Sequence, residues 1–219
     1  MERPIFASRG DAGKQLAEVL SRGGIESPVI APILRGGLEV ALPIIERFSA
    51  PVFPLLVGKV GHPWQPELGL GAIAPDGVLT IDDVMRQRFL VTESALQPVV
   101  EAQRKEIVRR KAMYQLKDEN LAEGRLVIAV DDGLATGLTA KAAGEYLRRC
   151  GATTVILAIP VASDQALTVA EKQFDRVVCL AHSAEFTAVS RWFQSFGQLG
   201  DRRIIDLLAR TEKPANGSG

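Results

Sequence analysis

The residues best suited to chemistry stand together in the segment "VIAVDDGLATGLTA". Asp131 and Asp132 close a continuous apolar run and are followed at once by Gly133, Leu134, Ala135, Thr136, Gly137, Leu138 and Thr139. Two carboxylates at a strand end can accept hydrogen bonds from a sugar diol, hold Mg²⁺ indirectly or act as acid and base. In the loop after them, small side chains let backbone N–H groups approach an anion. Thr136 and Thr139 add hydroxyls. The helix that follows offers free N–H groups and the positive end of its dipole. One end of this segment therefore suits a diol and the other a phosphate, as a ribose 5-phosphate carries. A P-loop needs G-x-x-x-x-G-K-[ST] and a dinucleotide fingerprint needs G-x-G-x-x-G, and neither spacing occurs here. An EF-hand fails on its own spacing. The plain structural alternative is a strand–turn–helix junction with Asp132 as a cap.

These residues need a scaffold, and the flanking sequence supplies one. "SPVIAPILRGG" reads as a buried strand ending in a tight loop. "LEVALPIIERF" reads as a helix in which Pro43 predicts a kink or a late start. "APVFPLLVGKVG" reads as a second buried strand and "HPWQPELG" as a Pro-rich loop. "LGAIAPDGVLTI" has the pattern of a hairpin turning at Pro75-Asp76-Gly77. Residues 93–118 form the longest helical stretch, with a charged, solvated face. Strand 125–131, a helix near 139–149, strand "TTVILAIPVA", a helix near 163–173 and strand "DRVVCLA" follow. Strands alternating with helices, most of them apolar throughout, predict an α/β fold with a Rossmann-like parallel sheet covered on both faces. In such sheets, ligands sit beyond the carboxyl ends of the strands. Both "LRGG" and "DDGLATG" stand at such ends. The expected organisation is an α/β core over 1–183 with an inserted hairpin and long helix (69–120). An aromatic-rich hood covers 184–210, and 211–219 form a flexible tail.

Composition narrows the function classes. Lys+Arg and Asp+Glu balance at 26 each among 219 residues, which argues against a general nucleic-acid or membrane-surface binder. The first residues lack the apolar core of a signal peptide. No apolar run nears the roughly 20 residues that span a bilayer. Cys150 and Cys179 are isolated and form no metal or disulfide spacing. The expected setting is the reducing cytoplasm.

"VIAVDDGLATGLTA" resembles the 5-phosphoribosyl-1-pyrophosphate (PRPP) signature of type I phosphoribosyltransferases. "ILRGGLEVA", "KVGHPWQPELGLGAIAPDG", "IPVAS" and "EFTAVSRWFQSFGQ" resemble, in order, a bacterial subgroup of that family without an assigned acceptor. The resemblance implies that Asp131 and Asp132 hold the ribose hydroxyls, and that Ala135, Thr136, Gly137, Leu138 and Thr139 cradle the 5-phosphate. It implies a pyrophosphate loop at Leu34, Arg35, Gly36 and Gly37, where Arg35 offers a cationic fork to phosphate oxygens. Lys59 matches a cation that reaches the pyrophosphate, or is a solvated side chain before a Gly turn. Glu67 is a candidate for a water-mediated Mg²⁺ contact, and Phe186 for stacking on a flat base. Trp192, Phe193 and Phe196 read as hood core. His62 and His182 read as loop or surface residues, since two distant histidines make no metal site.

The implied activity is Mg²⁺-assisted displacement of pyrophosphate from PRPP by a nitrogen acceptor, in nucleotide metabolism. The implied partners are PRPP, a small-molecule acceptor and a second copy of the chain. Position 135 is alanine where purine-salvage members carry aspartate, which argues against hypoxanthine or guanine. Gly133 replaces a branched apolar residue. Two other readings stay open on the same fold: a non-catalytic PRPP or nucleotide sensor, for which "QRKEIVRRK" is the only candidate basic face, and a phosphohydrolase-like enzyme.

Overall fold

The computed structural model describes residues 5–117 and 119–211. The reading of a flexible tail thus falls almost wholly outside the described residues. In chain order the elements are α1 (Arg9–Ser21), β1 (Val29–Leu34), α2 (Gly36–Phe48), β2 (Leu55–Leu56), β3 (Gly58–His62), β4 (Gln65–Ile73) and β5 (Leu79–Ile81). Then come α3 (Asp83–Arg88), α4 (Glu93–Met113), β6 (Leu126–Val130), α5 (Leu138–Arg149), β7 (Thr154–Ser163), α6 (Asp164–Gln173) and β8 (Arg176–Ser183). A 3-10 turn (Val189–Trp192) and α7 (Asp201–Thr211) complete the chain.

Five strands form a parallel sheet in the order β2-β1-β6-β7-β8. Alternation along each strand divides the apolar residues between two faces. Val29, Ala31 and Ile33 of β1, with Val127 and Ala129 of β6, meet Ala140, Ala143 and Leu147 of α5 and Ala166 and Ala170 of α6. Ile30, Ile128 and Val130 meet Leu16 and Leu20 of α1 and Val40 and Ile44 of α2. β1, β2 and β6 are apolar throughout because both faces are covered, as the sequence pattern predicts, whereas the edge strand β8 also carries Arg176, His182 and Ser183.

Pro43 lies inside α2, which runs from Gly36 to Phe48 without the late start that its presence suggested. Gly13 of α1 explains how this helix is accommodated. A Cβ at Gly13 would stand 2.2 Å from the Val40 carbonyl oxygen and 3.1 Å from Pro43 Cδ, so α1 lies directly on the backbone of α2. Gly13→Ala must push the two helices apart. It is expected to cost about 1–3 kcal/mol and to lower the melting temperature by several degrees, measurable by calorimetric unfolding.

Two sequence expectations are corrected. The run 50–61 is not one strand: Leu55–Leu56 joins the parallel sheet, and Gly58–His62 begins a separate antiparallel sheet, β3-β4-β5. The stretch "HPWQPELG" is not a loop. Only Pro63 and Trp64 turn, and Gln65 already pairs with His62. A Pro is tolerated here because Pro66 lies beside the register irregularities at Gly61, where the ladder is interrupted. The hairpin around Pro75-Asp76-Gly77 forms as expected, with Gly77 at φ +83°. α4 packs Leu96 and Val100 against Val60, Leu70 and Ile73 of this small sheet.

The segment 184–210 divides in two. Phe186, Val189, Trp192, Phe193 and Phe196 cluster with Phe6, Ala12 and Val161, so the chain's N-terminal end shares the hood. α7 turns away and packs Ile204, Leu207 and Leu208 on Leu34, Leu38, Leu56 and Tyr114. No helix among the described residues is long and apolar enough to cross a membrane.

Candidate active site

The carboxylates stand where β6 ends. The Asp131 N–H donates to the Ala158 carbonyl at 3.3 Å, and the Asp132 N–H turns back to Asp131 Oδ1 at 2.8 Å. The loop is then stitched to β7. The Leu134 N–H donates to the Val161 carbonyl, the Ser163 N–H to the Leu134 carbonyl (2.9 Å each), and Ser163 Oγ to the Ala135 carbonyl at 2.9 Å. Beyond this anchor, Gly137 takes φ +77° and opens α5 without any side-chain cap. The first intrahelical bond runs from the Lys141 N–H to the Gly137 carbonyl at 2.8 Å. The N–H groups of the first turn are thus left for an anion.

The LRGG loop meets this segment directly. A Cβ at Gly36 would stand 2.0 Å from Asp132 Oδ2, and one at Gly37 would stand 2.2 Å from the Val130 carbonyl oxygen. Both glycines are there because the two strand ends touch. The Leu34–Arg35 peptide is cis. Arg35 is partly exposed and lies 3.9 Å from Asp201 Oδ1, a carboxylate also held by the Tyr114 hydroxyl and Arg109.

A crevice follows these loops in two adjoining parts. One, of 340 Å³, is lined by Leu34, Arg35, Lys59, Gln103, Arg110, Asp131 and Thr139, among others. The other, of 220 Å³, takes in Asp131, Asp132, Ala135 to Thr139, Lys59, Glu67 and Val189. Lys59, Asp131 and Thr139 border both. Cavities of 460 Å³ beside Phe53 and Tyr114 and of 510 Å³ beside Arg9 and Arg203 are larger but include none of the glycine loop. Chemistry, not volume, selects the crevice. Lys59 Nζ donates to the Glu67 carbonyl at 2.9 Å, which holds the ammonium at the rim, and the Glu67 side chain is exposed.

Electrostatics mark the two carboxylates. Burial pushes Asp131 well above the usual carboxylate range, and the negative charge of Asp132 adds to the rise. Burial also raises Asp132, against the pull of Arg9. Arg9 is the residue that the sequence reading missed. It is 6 % exposed, and its Nε donates to Asp132 Oδ2 at 2.8 Å. It precedes Asp132 by 123 residues and sits at the first position of α1, where a cation opposes the helix dipole. That misplaced charge was the one available signal.

Other expectations change. Phe186 stacks on Trp192, with centroids 6.0 Å apart and planes at 22°, inside the hood cluster. Val189 is the hood residue that borders the crevice. Its Cγ1 would lie 2.8 Å from a Cβ at Gly133, and Val161 Cγ2 would lie 2.7 Å away, so these two valines occupy the space of a branched side chain at 133. His62 is not a surface residue. It is 7 % exposed, accepts from the Trp64 N–H, and packs edge-on against Trp64 and Phe89. His182 is a surface residue as read, placed in β8 with its exposed ring 2.8 Å from Asp164. The basic face of α4 is largely paired: Arg104 with Glu101, and Arg109 and Arg110 with Glu106.

Comparison with known proteins bears on the whole arrangement. A family model described as "Phosphoribosyl transferase domain" matches residues 7–192. Two Mycobacterium tuberculosis proteins, from strains CDC 1551 / Oshkosh and H37Rv and each named "Putative phosphoribosyl transferase", are 39% identical over 211 residues. The match covers 95% of this chain and 47% of each of theirs, so the chain spans about half the length of the curated relatives it matches. The crystal structure of TT1426 from Thermus thermophilus is 32% identical, covers 95% of this chain and 99% of its own, and superposes with a TM-score of 0.77. A purine phosphoribosyltransferase from Pyrococcus horikoshii Ot3 shares the fold at 19% identity, with a TM-score of 0.50 over 91% of this chain and 99% of its own. With a family model spanning most of its length and relatives of 30% identity or more that cover 95% of it, the chain belongs to the phosphoribosyl transferase family, on the type I α/β fold.

Proposed function

We propose that this protein transfers the 5-phosphoribosyl group of PRPP to a nitrogen acceptor and releases pyrophosphate. The observation that carries this reading is the meeting of two strand ends: Gly36 of the LRGG loop seats against Asp132, beside the uncapped start of α5. Diol acceptors, a phosphate cradle and a cationic loop then border one crevice. In this reading, Asp131 and Asp132 accept from the ribose hydroxyls, and residues 135–139 hold the 5-phosphate with N–H groups and hydroxyls. Arg35, with the backbone of Leu34, Gly36 and Gly37, faces the pyrophosphate, and Lys59 reaches it from the rim. The acceptor nitrogen forms a bond to C1 as the C1–O bond breaks, the electron pair leaves with the pyrophosphate, and the proton of the nitrogen passes to solvent. Cations that meet the departing charge lower the barrier, and the fixed sugar keeps C1 aligned.

Magnesium fits as a companion of the substrate. Among the described residues, no three His, Cys, Asp or Glu side chains gather into a metal cage. Mg²⁺ is commonly held by one or two carboxylates together with substrate phosphates, and Asp131 and Asp132 border the crevice in which the phosphates would lie. When bound, the ion would neutralise charge on the pyrophosphate. We further propose an acceptor other than hypoxanthine or guanine, because Ala135 presents a methyl group and a carbonyl already committed to Ser163.

Calorimetric titration of PRPP with Mg²⁺ into the wild type and into the Asp131→Asn/Asp132→Asn double variant tests the reading. Saturable binding that the double variant loses supports it and justifies screening acceptors for pyrophosphate release. Absence of binding to folded wild type refutes it.

A further inference from the structure

Arg9 is buried at a point where burial is expensive. A desolvated guanidinium must be fully paired, and this one begins a helix whose dipole opposes it. Its contacts explain its place. Nε donates to Asp132 Oδ2 at 2.8 Å, and Nη1 donates to the Gly197 carbonyl at 2.9 Å. The guanidinium carbon lies 3.6 Å above the centroid of the Phe196 ring, and Glu39 Oε2 is 3.9 Å from Nη1. Glu39 in turn is held by Arg203 at 3.2 Å. One rigid fork thus joins a carboxylate at the end of β6 to the hood segment at Phe196 and Gly197.

We infer that Arg9 is a positioning residue for the ribose site: it fixes the Asp132 carboxylate in one orientation and anchors it to the hood. The inference rests on the reading of Asp131 and Asp132 as diol acceptors. An aspartate beside a glycine has little else to stop it turning, since Gly36 brings no side chain to that contact. Arg9 occupies Oδ2 and leaves Oδ1 to a ligand. A planar fork suits this task, whereas a lysine ammonium would serve one acceptor well and the other poorly. The hood's last turn before α7 is thereby held by the same cation that orients the ribose acceptor. Displacing either end disturbs the other.

The test compares two ligands by calorimetry. Ribose 5-phosphate fills both the cradle and the diol site, and inorganic phosphate fills the cradle alone. Wild type is expected to prefer ribose 5-phosphate by about tenfold or more, the scale of charge-assisted hydrogen bonds. Arg9→Met is expected to lose most of that preference, with phosphate affinity unchanged within about twofold. Arg9→Lys is expected to fall between the two, and it carries the test if Arg9→Met does not fold. A preference kept in Arg9→Met, a wild-type preference in Arg9→Lys, or parallel weakening of both ligands would overturn the inference. Parallel weakening would mark Arg9 as a structural residue only. If wild type itself binds phosphate but shows no preference, the diol reading fails instead, and the inference falls with it.

Discussion

At pH 8, Asp131→Asn is expected to melt higher than wild type while binding PRPP about 10- to 100-fold more weakly, the loss expected for one hydrogen bond to a charged acceptor. The two effects have one cause. Asp131 is buried beside a second carboxylate, and its compensation is the N–H of Asp132. Arg9 hydrogen-bonds the neighbour and relieves Asp131 only through its charge. The folded chain therefore holds this carboxyl well above its ordinary value of 3.8. A proton that the unfolded chain has released is still favoured in the folded one, so the contribution to stability is present below that value and is lost as pH rises toward the folded value. Asparagine keeps the shape and the acceptor for the Asp132 N–H, and it does not titrate. The difference in melting temperature between variant and wild type should open as pH rises from about 4 and should be absent below it. Unfolding scans across pH 4 to 8 read it directly. A constant difference, or one that closes with pH, would mean that the Asp131 carboxylate is better solvated than its burial implies. Functional carboxylates held at the expense of stability are a common trade.

The sequence carried the parts of this site that a contiguous segment can encode. The apolar run, the aspartate pair, the small loop and the following helix lie within one strand–loop–helix unit. Local patterning placed them at a strand end, and the alternation of apolar strands and helices placed that end at the rim of a parallel sheet. Contacts closed between distant segments were not legible. Nothing in "FASRGDAG" says that Arg9 will reach Asp132, because the pairing exists only once α1 packs beneath the hood. The break between β2 and β3 was hidden for a different reason. Leu55, Leu56 and Val60 are all buried, so the apolar residues on either side of Gly58 and Lys59 read as one strand even though two sheets divide them. Pro63 and Pro66 drew the hairpin toward a loop assignment, and the interrupted register at Gly61 is what lets a strand survive there. The aromatic residues near 190 identified a hood. That these rings would pack inward with Phe6 and leave Val189 at the crevice could not be read from composition at 184–196.

Gly36 and Gly37 are adjacent, and their replacement by alanine is expected to fail in different ways. A Cβ at Gly37 meets the Val130 carbonyl oxygen at 2.2 Å and the Asp131 Cα at 3.1 Å, which is backbone of a central strand. That backbone is fixed by pairing on both sides, to β1 and β7. Gly37→Ala must then shift α2 against the sheet, at a cost of about 3 kcal/mol, and the melting temperature should fall by roughly 6–12 °C for a chain of this length. A Cβ at Gly36 meets first the carboxylate of Asp132, with Oδ2 at 2.0 Å and Oδ1 at 2.9 Å. A side chain can rotate away. Alanine also favours the helix that begins here by about 0.5–1 kcal/mol over glycine, which offsets part of the loss. Gly36→Ala should therefore melt within a few degrees of wild type. The displaced carboxylate gives up its 2.8 Å contact with Arg9, and under the proposed function it also leaves the ribose, so PRPP affinity should fall by about tenfold or more. Thermal unfolding and calorimetric titration of the two variants separate these outcomes. If Gly36→Ala melts as low as Gly37→Ala, Asp132 is too firmly held to turn, and the loop would have to move instead. If Gly36→Ala keeps wild-type affinity, the ribose is not held at Asp132, and the meeting of the two loops serves packing rather than binding.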